Sequence, residues 1–263
     1  MIKYGNNAPL SYSKYLKVKE LLKLQQTLSN PVSHDETLFI IIHQTYELWF
    51  KQILHELDAV ISWMNEGRLF RANHSLKTVV SIGKVLVFQI HVLETMAPIG
   101  FLEFREKLNP ASGFQSFQFR EIEFISGLKD EKILESFRDD DETYLRLKKR
   151  FIQPSLADAF WLVLEKKGFD VSSRSSRIDS IVKILEQPEK EPEIYLMQDL
   201  IIEHDENISQ WRYHHVLMVE RMLGMKPGTG GSEGAAYLKK TLDKKFIPEL
   251  WEARTFLKLD EAI

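Results

Sequence analysis

Apolar residues recur along most of this chain at three- and four-residue spacing, the period of a helix packed on one face. No hairpin or βαβ pattern competes with it. The pattern predicts a short first helix over residues 13–26, with Leu16, Leu21 and Leu24 as its packing face. Ser33-His34-Asp35-Glu36 has the form of a capping box, its acidic residues placed where the helix dipole favours them. It should open a long helix that runs to about Glu66 and stops at Gly67. Within that helix, Leu38-Phe39-Ile40-Ile41-Ile42 is apolar on every side, which marks a fully buried stretch. A third helix is expected over about 68–96, ending before Pro98. A shorter piece carries Phe101-Leu102-Glu103-Phe104-Arg105 and is closed by Asn109-Pro110. Ser112-Gly113 precedes another helix through Phe114, Phe117 and Phe124. Residues 127–191 are more charged, include Asp139-Asp140-Asp141-Glu142, and read as shorter solvated helices forming a peripheral insertion. A last long helix begins near Pro192-Glu193, with proline at its first position, and ends at Gly224. The expected architecture is all-α: a single domain, 1–263, built on long buried helices.

The 263 residues can bury a substantial core. A formal net charge of -3 gives no electrostatic reason to expect nucleic acid or anionic membrane, and favours a small or zwitterionic ligand. The chain has no cysteine, which removes disulfides, iron–sulfur clusters, thiolate-ligated haem, Cys-type zinc sites and a cysteine nucleophile. Residues 1–7 carry no apolar segment of the secretory kind, and runs such as Leu38 to Ile42 fall far short of the roughly 20 residues that span a bilayer. A cytoplasmic location is expected.

The chemistry has to come from elsewhere, and the eight histidines are the natural place to look. None follows a glutamate by three positions, so the pairs of di-iron bundles are absent, and there is no His-Glu-x-x-His zinc motif. His43 sits four residues after Phe39 in the all-apolar stretch; it is either a core histidine bonded to a neighbour or an imidazole facing a cavity. His215 lies in line with Ile208, Trp211 and Val219, on the inward stripe of the last long helix. An inward histidine on an apolar stripe suits an axial haem ligand, but His204 shares the stripe and His214 is adjacent, so spacing does not choose among them. Phe101 and Arg105 are helical neighbours able to pack on a ligand and clamp a carboxylate; a surface pairing of Arg105 with Glu103 or Glu106 is the plainer reading. Tyr12 and Tyr15 read alone as packing residues. Five of the 12 glycines fall between Gly224 and Gly234, the pattern of a loop beside the histidine helix. Its Gly230-Gly231-Ser232-Glu233-Gly234 has the letters of a nucleophile elbow but lacks the strand that motif needs.

An ordered set of motifs resembles the tryptophan 2,3-dioxygenase family over nearly the whole chain, least over 127–191. The set comprises Tyr12-Ser13-Lys14-Tyr15-Leu16, His34-Asp35-Glu36, His43-Gln44-Thr45-Tyr46-Glu47-Leu48-Trp49-Phe50-Lys51 and Leu93-Glu94-Thr95-Met96. It continues with Phe104-Arg105, Pro110-Ala111-Ser112-Gly113-Phe114-Gln115-Ser116, Trp211-Arg212, Gly228-Thr229-Gly230-Gly231-Ser232 and Pro248-Glu249-Leu250-Trp251. The resemblance implies a haem b enzyme, one haem per subunit, that opens the indole ring of L-tryptophan with O2 to give N-formyl-L-kynurenine. It implies His215 as the proximal iron ligand and His43 as the distal histidine near the indole N–H. Substrate contacts are implied for Phe39, Ile40, Ile41, Ile42, Phe101, Ser112 and Thr229, with Arg105 clamping the carboxylate. A homotetramer is implied too, with Tyr12, Tyr15 and Leu16 reaching a neighbouring subunit's pocket. Three other readings stay open at this point: a non-catalytic haem or amino-acid sensor, a related haem enzyme acting on another aromatic amino acid or by monooxygenation, and a helical interaction module with no cofactor.

Overall fold

Short turns separate the helices of this protein, and at several of them a Ser or Asp side chain caps the helix that follows. The computed structural model describes residues 10–224, 226 and 235–258. In chain order the helices are α1 (Tyr12–Tyr15), α2 (Val18–Leu21), α3 (His34–Asn65), α4 (Leu69–Leu93), α5 (Pro98–Arg105), α6 (Phe117–Ser126) and α7 (Glu131–Glu135). They continue with α8 (Asp141–Ile152), α9 (Leu156–Lys166), α10 (Arg174–Glu186), α11 (Pro192–Leu223), α12 (Ala235–Lys239) and α13 (Pro248–Glu252). Single 3₁₀ turns at Glu106–Leu108, Gly113–Gln115 and Ala253–Phe256 join some of them. The described residues contain no strand, so the all-α expectation holds.

Three long helices carry the core. α4 packs along both α3 and α11. Asn73 Nδ2 donates to Glu193 O at 2.8 Å, Asn207 Nδ2 to Val80 O at 3.2 Å, and the His91 and His214 rings meet at 5.0 Å. These contacts advance together along both helices, so α4 and α11 are parallel. α3 runs against them, with the Tyr46 hydroxyl donating to Leu86 O at 3.0 Å. Among the described residues α4 alone is long and apolar enough to cross a membrane; here it is a core helix, with Leu76, Val79 and Leu86 all but fully buried. α11 begins at Pro192 and ends at Gly224, as its capping pattern predicts. Gly224 adopts φ +59°, a region where a Cβ is costly.

Several expectations need correction. The helix expected over 13–26 is two short ones, α1 and α2, broken at Lys17 with φ 54°. Leu16, Leu21 and Leu24 are exposed rather than packed. The capping box at Ser33 does not form. Glu36 turns back instead, accepting from Leu28 N at 2.6 Å and from the Ser29 N and hydroxyl, while Ser33 N donates to Ser29 Oγ at 2.8 Å. The stretch from Leu38 to Ile42 is not fully buried: Ile42 is, Ile41 is 42 % exposed, and the others lie between. Within 127–191, α9 and α10 feed the main core through Phe160, Leu164 and Ile181, whereas α7 and α8 close a smaller cluster around Phe124 and Leu147.

Candidate functional site

Two histidines from different helices meet one cavity. His43 on α3 and His215 on α11 both line it, with Phe50, Ile90, Leu93, Phe119 and Met218 supplying apolar wall. Its empty volume is about 950 Å3, mouth included. Leu238 and Thr241 flank it from the segment beyond α11.

The His43 Nδ1 lies 2.7 Å from Phe39 O. A carbonyl only accepts, so Nδ1 carries the proton and Nε2 is left as a bare acceptor. Burial lowers the His43 pKa, outweighing the Phe39 carbonyl and the Glu47 carboxylate that raise it. The ring packs on Phe39 at 4.1 Å, Phe39 stacks on Phe101 at 5.7 Å, and the buried Phe104 meets both edge-on. Opposite, the His215 ring stacks on Trp211 at 5.1 Å, one helical turn away. Burial, and then the nearby His43, push the His215 imidazole down to about 4, so it is neutral near pH 7. Neither of its nitrogens bonds to a described residue.

The remaining histidines of the stripe separate cleanly. His214 faces His91. His204 is buried elsewhere, its Nε2 3.0 Å from Ser126 Oγ and its ring 5.1 Å from Phe246. Burial lowers the His204 pKa from 6.5 to about 4. The unfolded chain therefore takes up a proton below about pH 6.5 that the folded protein refuses until about pH 4. His204 thus lowers stability as pH falls through that window and has no such effect above it. The wild type is expected to lose on the order of 3 kcal/mol across the window through this group. Denaturant unfolding at stepped pH should show a shallower loss for His204→Gln; equal slopes would place the uptake on another group.

Of the other sequence-derived positions, Phe101 and Arg105 share α5, half-buried one turn apart, and neither is on the cavity wall. Asp35 sets α5 in place, its Oδ2 accepting from Ala97 N at 3.3 Å at the helix start. Gly100 permits that approach, because a Cβ there would collide with the same carboxylate. Gly100→Ala should therefore destabilise the protein by about 1–3 kcal/mol, despite alanine's better helix propensity. Equilibrium unfolding checks this, and an unchanged midpoint would show that α5 shifts freely. Ser112 stands beside the cavity rather than on it, its Oγ accepting from Phe114 N at 3.3 Å to cap the turn whose Gly113 and Phe114 line the wall. Ile40 and Ile41 lie outside the wall, as does Ile42, which packs in the core. Tyr12, Tyr15 and Leu16 are 79 %, 72 % and 44 % exposed. Thr229 and the glycine loop, with its elbow-like letters, lie outside the described residues.

Sequence reasoning passed over a buried ionic trio on the same wall: Arg120, Glu123 and Arg212. Arg120 and Glu123 at i and i+3 look like an ordinary exposed pair, and Arg212 is 89 residues from Glu123. The one signal was the paired appearance of Trp211 and Arg212 within a quoted motif.

The family model described as "Tryptophan 2,3-dioxygenase" matches this chain over residues 2–187 and 170–257. The chain is 46 % identical over 255 residues to a protein named tryptophan 2,3-dioxygenase from a Nocardioides species, covering 95 % of this chain and 96 % of that one. It is 45 % identical to the protein of that name from Herpetosiphon aurantiacus, covering 94 % and 98 %, and 40 % identical to that from Anaeromyxobacter dehalogenans, covering 95 % and 97 %.

Proposed function

Since the chain belongs to the tryptophan 2,3-dioxygenase family, we propose that it is a haem-dependent dioxygenase cleaving the indole C2–C3 bond of L-tryptophan with O2. The product is N-formyl-L-kynurenine, the first step of tryptophan degradation. One observation carries the reading: His43 and His215 come from separate helices onto one apolar-walled cavity.

The residues fit the cofactor. His215 is a neutral imidazole with neither nitrogen bonded to a described residue, stacked against Trp211, and would hold the haem iron. Haem b, one per subunit and held by His215, would supply the oxygen chemistry. Everything else falls to side chains. Arg105 holds the substrate carboxylate in a bidentate pair, and Thr229 engages its ammonium and carboxylate. Phe39 and Phe101, already stacked, provide an aromatic wall for the indole. Ile40, Ile41, Ile42 and Ser112 are assigned as further substrate contacts from beyond the cavity wall, with Ser112 capping the turn that carries Gly113 and Phe114 onto it. The exposure of Tyr12, Tyr15 and Leu16 supports their insertion into a neighbouring subunit's pocket within a homotetramer. A cytoplasmic protein with no nucleic-acid or membrane partner accords with the net charge of -3. The chain is read as one domain, in which α7 and α8 of 127–191 are peripheral while α9 and α10 join the main core.

His43 acts here as an orienting acceptor. Its Nδ1 proton is committed to Phe39 O, which leaves Nε2 to receive the indole N–H. An indole N–H is a very weak acid, so this contact positions the ring rather than removing the proton. His43→Ala should lower kcat/KM by about tenfold, less than the roughly 10²–10⁴ attached to general acid–base catalysis. Steady-state turnover of the reduced, haem-loaded protein tests this. Complete loss of turnover, with haem and tryptophan still bound, would make His43 an obligatory base.

A further inference from the structure

One corner of the cavity is cationic. Arg120 on α6 and Arg212 on α11 both line it and share a single carboxylate. Arg120 Nη1 lies 2.7 Å from Glu123 Oε2, and Arg212 Nη2 lies 2.7 Å from Glu123 Oε1. Arg212 is further tied to Lys244 O at 2.9 Å. All three side chains are buried, Arg120 at 8 %, Glu123 at 2 % and Arg212 at 4 % exposure. Two guanidiniums share the one carboxylate of the trio, and the buried Asp205 also acts on Arg212, so Arg120 is the arginine left without a second anion. Glu47, the other carboxylate on the wall, is bonded to Gln118 Nε2 at 2.8 Å and pairs with neither arginine. Arg120 Nε is buried with no partner, while its guanidinium lies over the Phe114 ring at 4.8 Å. A buried cation with an unused donor is costly unless an anion completes it.

We propose that this trio is an anion-anchoring site and that Arg120 receives a propionate carboxylate of the haem. The assignment rests on the haem reading of the cavity. Haem is apolar over its macrocycle and anionic only at its two propionates, which matches an apolar cavity with one cationic corner. Glu123 takes Nη1 and Arg212 holds Glu123, which leaves the rest of the Arg120 fork on the cavity wall to meet the ligand. Arginine suits this role because its planar fork matches a carboxylate. Glu123 and Arg212 are positioning residues.

The test titrates apoprotein with haem and with haem dimethyl ester, for the wild type and Arg120→Gln. In the wild type, esterification should weaken binding roughly 10- to 100-fold, the range for a hydrogen bond to a charged group. Arg120→Gln should bind free-acid haem as weakly as the wild type binds the ester, with little further loss on esterification. An equal ester penalty in both proteins, or none in the wild type, overturns the assignment. Unchanged haem binding by Arg120→Gln with a raised KM for L-tryptophan would also overturn it, giving the cation to the substrate's carboxylate. Should Arg120→Gln not fold, Arg120→Lys keeps the charge but loses the fork; a full wild-type ester penalty in that variant counts against the proposal. Uptake of neither haem form would sink the haem reading itself, a result distinct from these.

Discussion

His215→Ala should lose haem, with affinity lowered by at least about 100-fold, and turnover of L-tryptophan should fall to background. The size follows from comparison: removing partners that only orient a metal ligand already costs about 10–100-fold, and here the ligand itself goes. No other histidine is placed to substitute. His204 is bonded to Ser126 in the core and His214 faces His91. His43 lines the same cavity from α3, where its free Nε2 is assigned to the indole N–H. Haem content and the absorption spectrum after purification with ample haem supply check the result. An unaltered spectrum would assign the iron to a different residue.

Arg105→Ala should lower kcat/KM by about 2–5 kcal/mol, roughly 30- to several-thousand-fold, mostly through KM. A carboxylate entering an apolar site without its cation loses a charge-assisted pair and keeps the desolvation penalty. Arg105 stands at the end of α5, whose start is fixed by Asp35 and whose Phe101 stacks on Phe39, so its backbone is well placed and only the side chain changes. Arg105→Lys should recover little, because a point charge does not reproduce the planar fork. A wild-type kcat/KM in Arg105→Ala would put the clamp on another cation, and the buried Arg120 would be the next to test.

The long helices were legible because their signals are local. Pro192 at the start of α11 and Gly224 at its end act within one turn, and both limits are where the pattern predicts. The break between α1 and α2 was not legible, since Lys17 takes a left-handed φ that its residue type does not advertise. Glu36 misled for a related reason: its spacing fits a capping box, but the donors of Leu28 and Ser29 compete for the same carboxylate. Histidine placement shows the limit of periodicity. His204 and His215 share a stripe, yet one meets Ser126 and Phe246 while the other meets a cavity, and that difference belongs to what packs opposite. The Arg120, Glu123 and Arg212 trio was invisible in the same way, because charged letters read as solvated until the fold closes over them.

The decisive measurement is turnover of L-tryptophan under ¹⁸O₂ by the reduced, haem-loaded protein, with the product identified by mass. N-formyl-L-kynurenine carrying both labelled oxygen atoms is expected. A product with a single labelled atom, or none formed while haem and tryptophan are both bound, would contradict the dioxygenase reading.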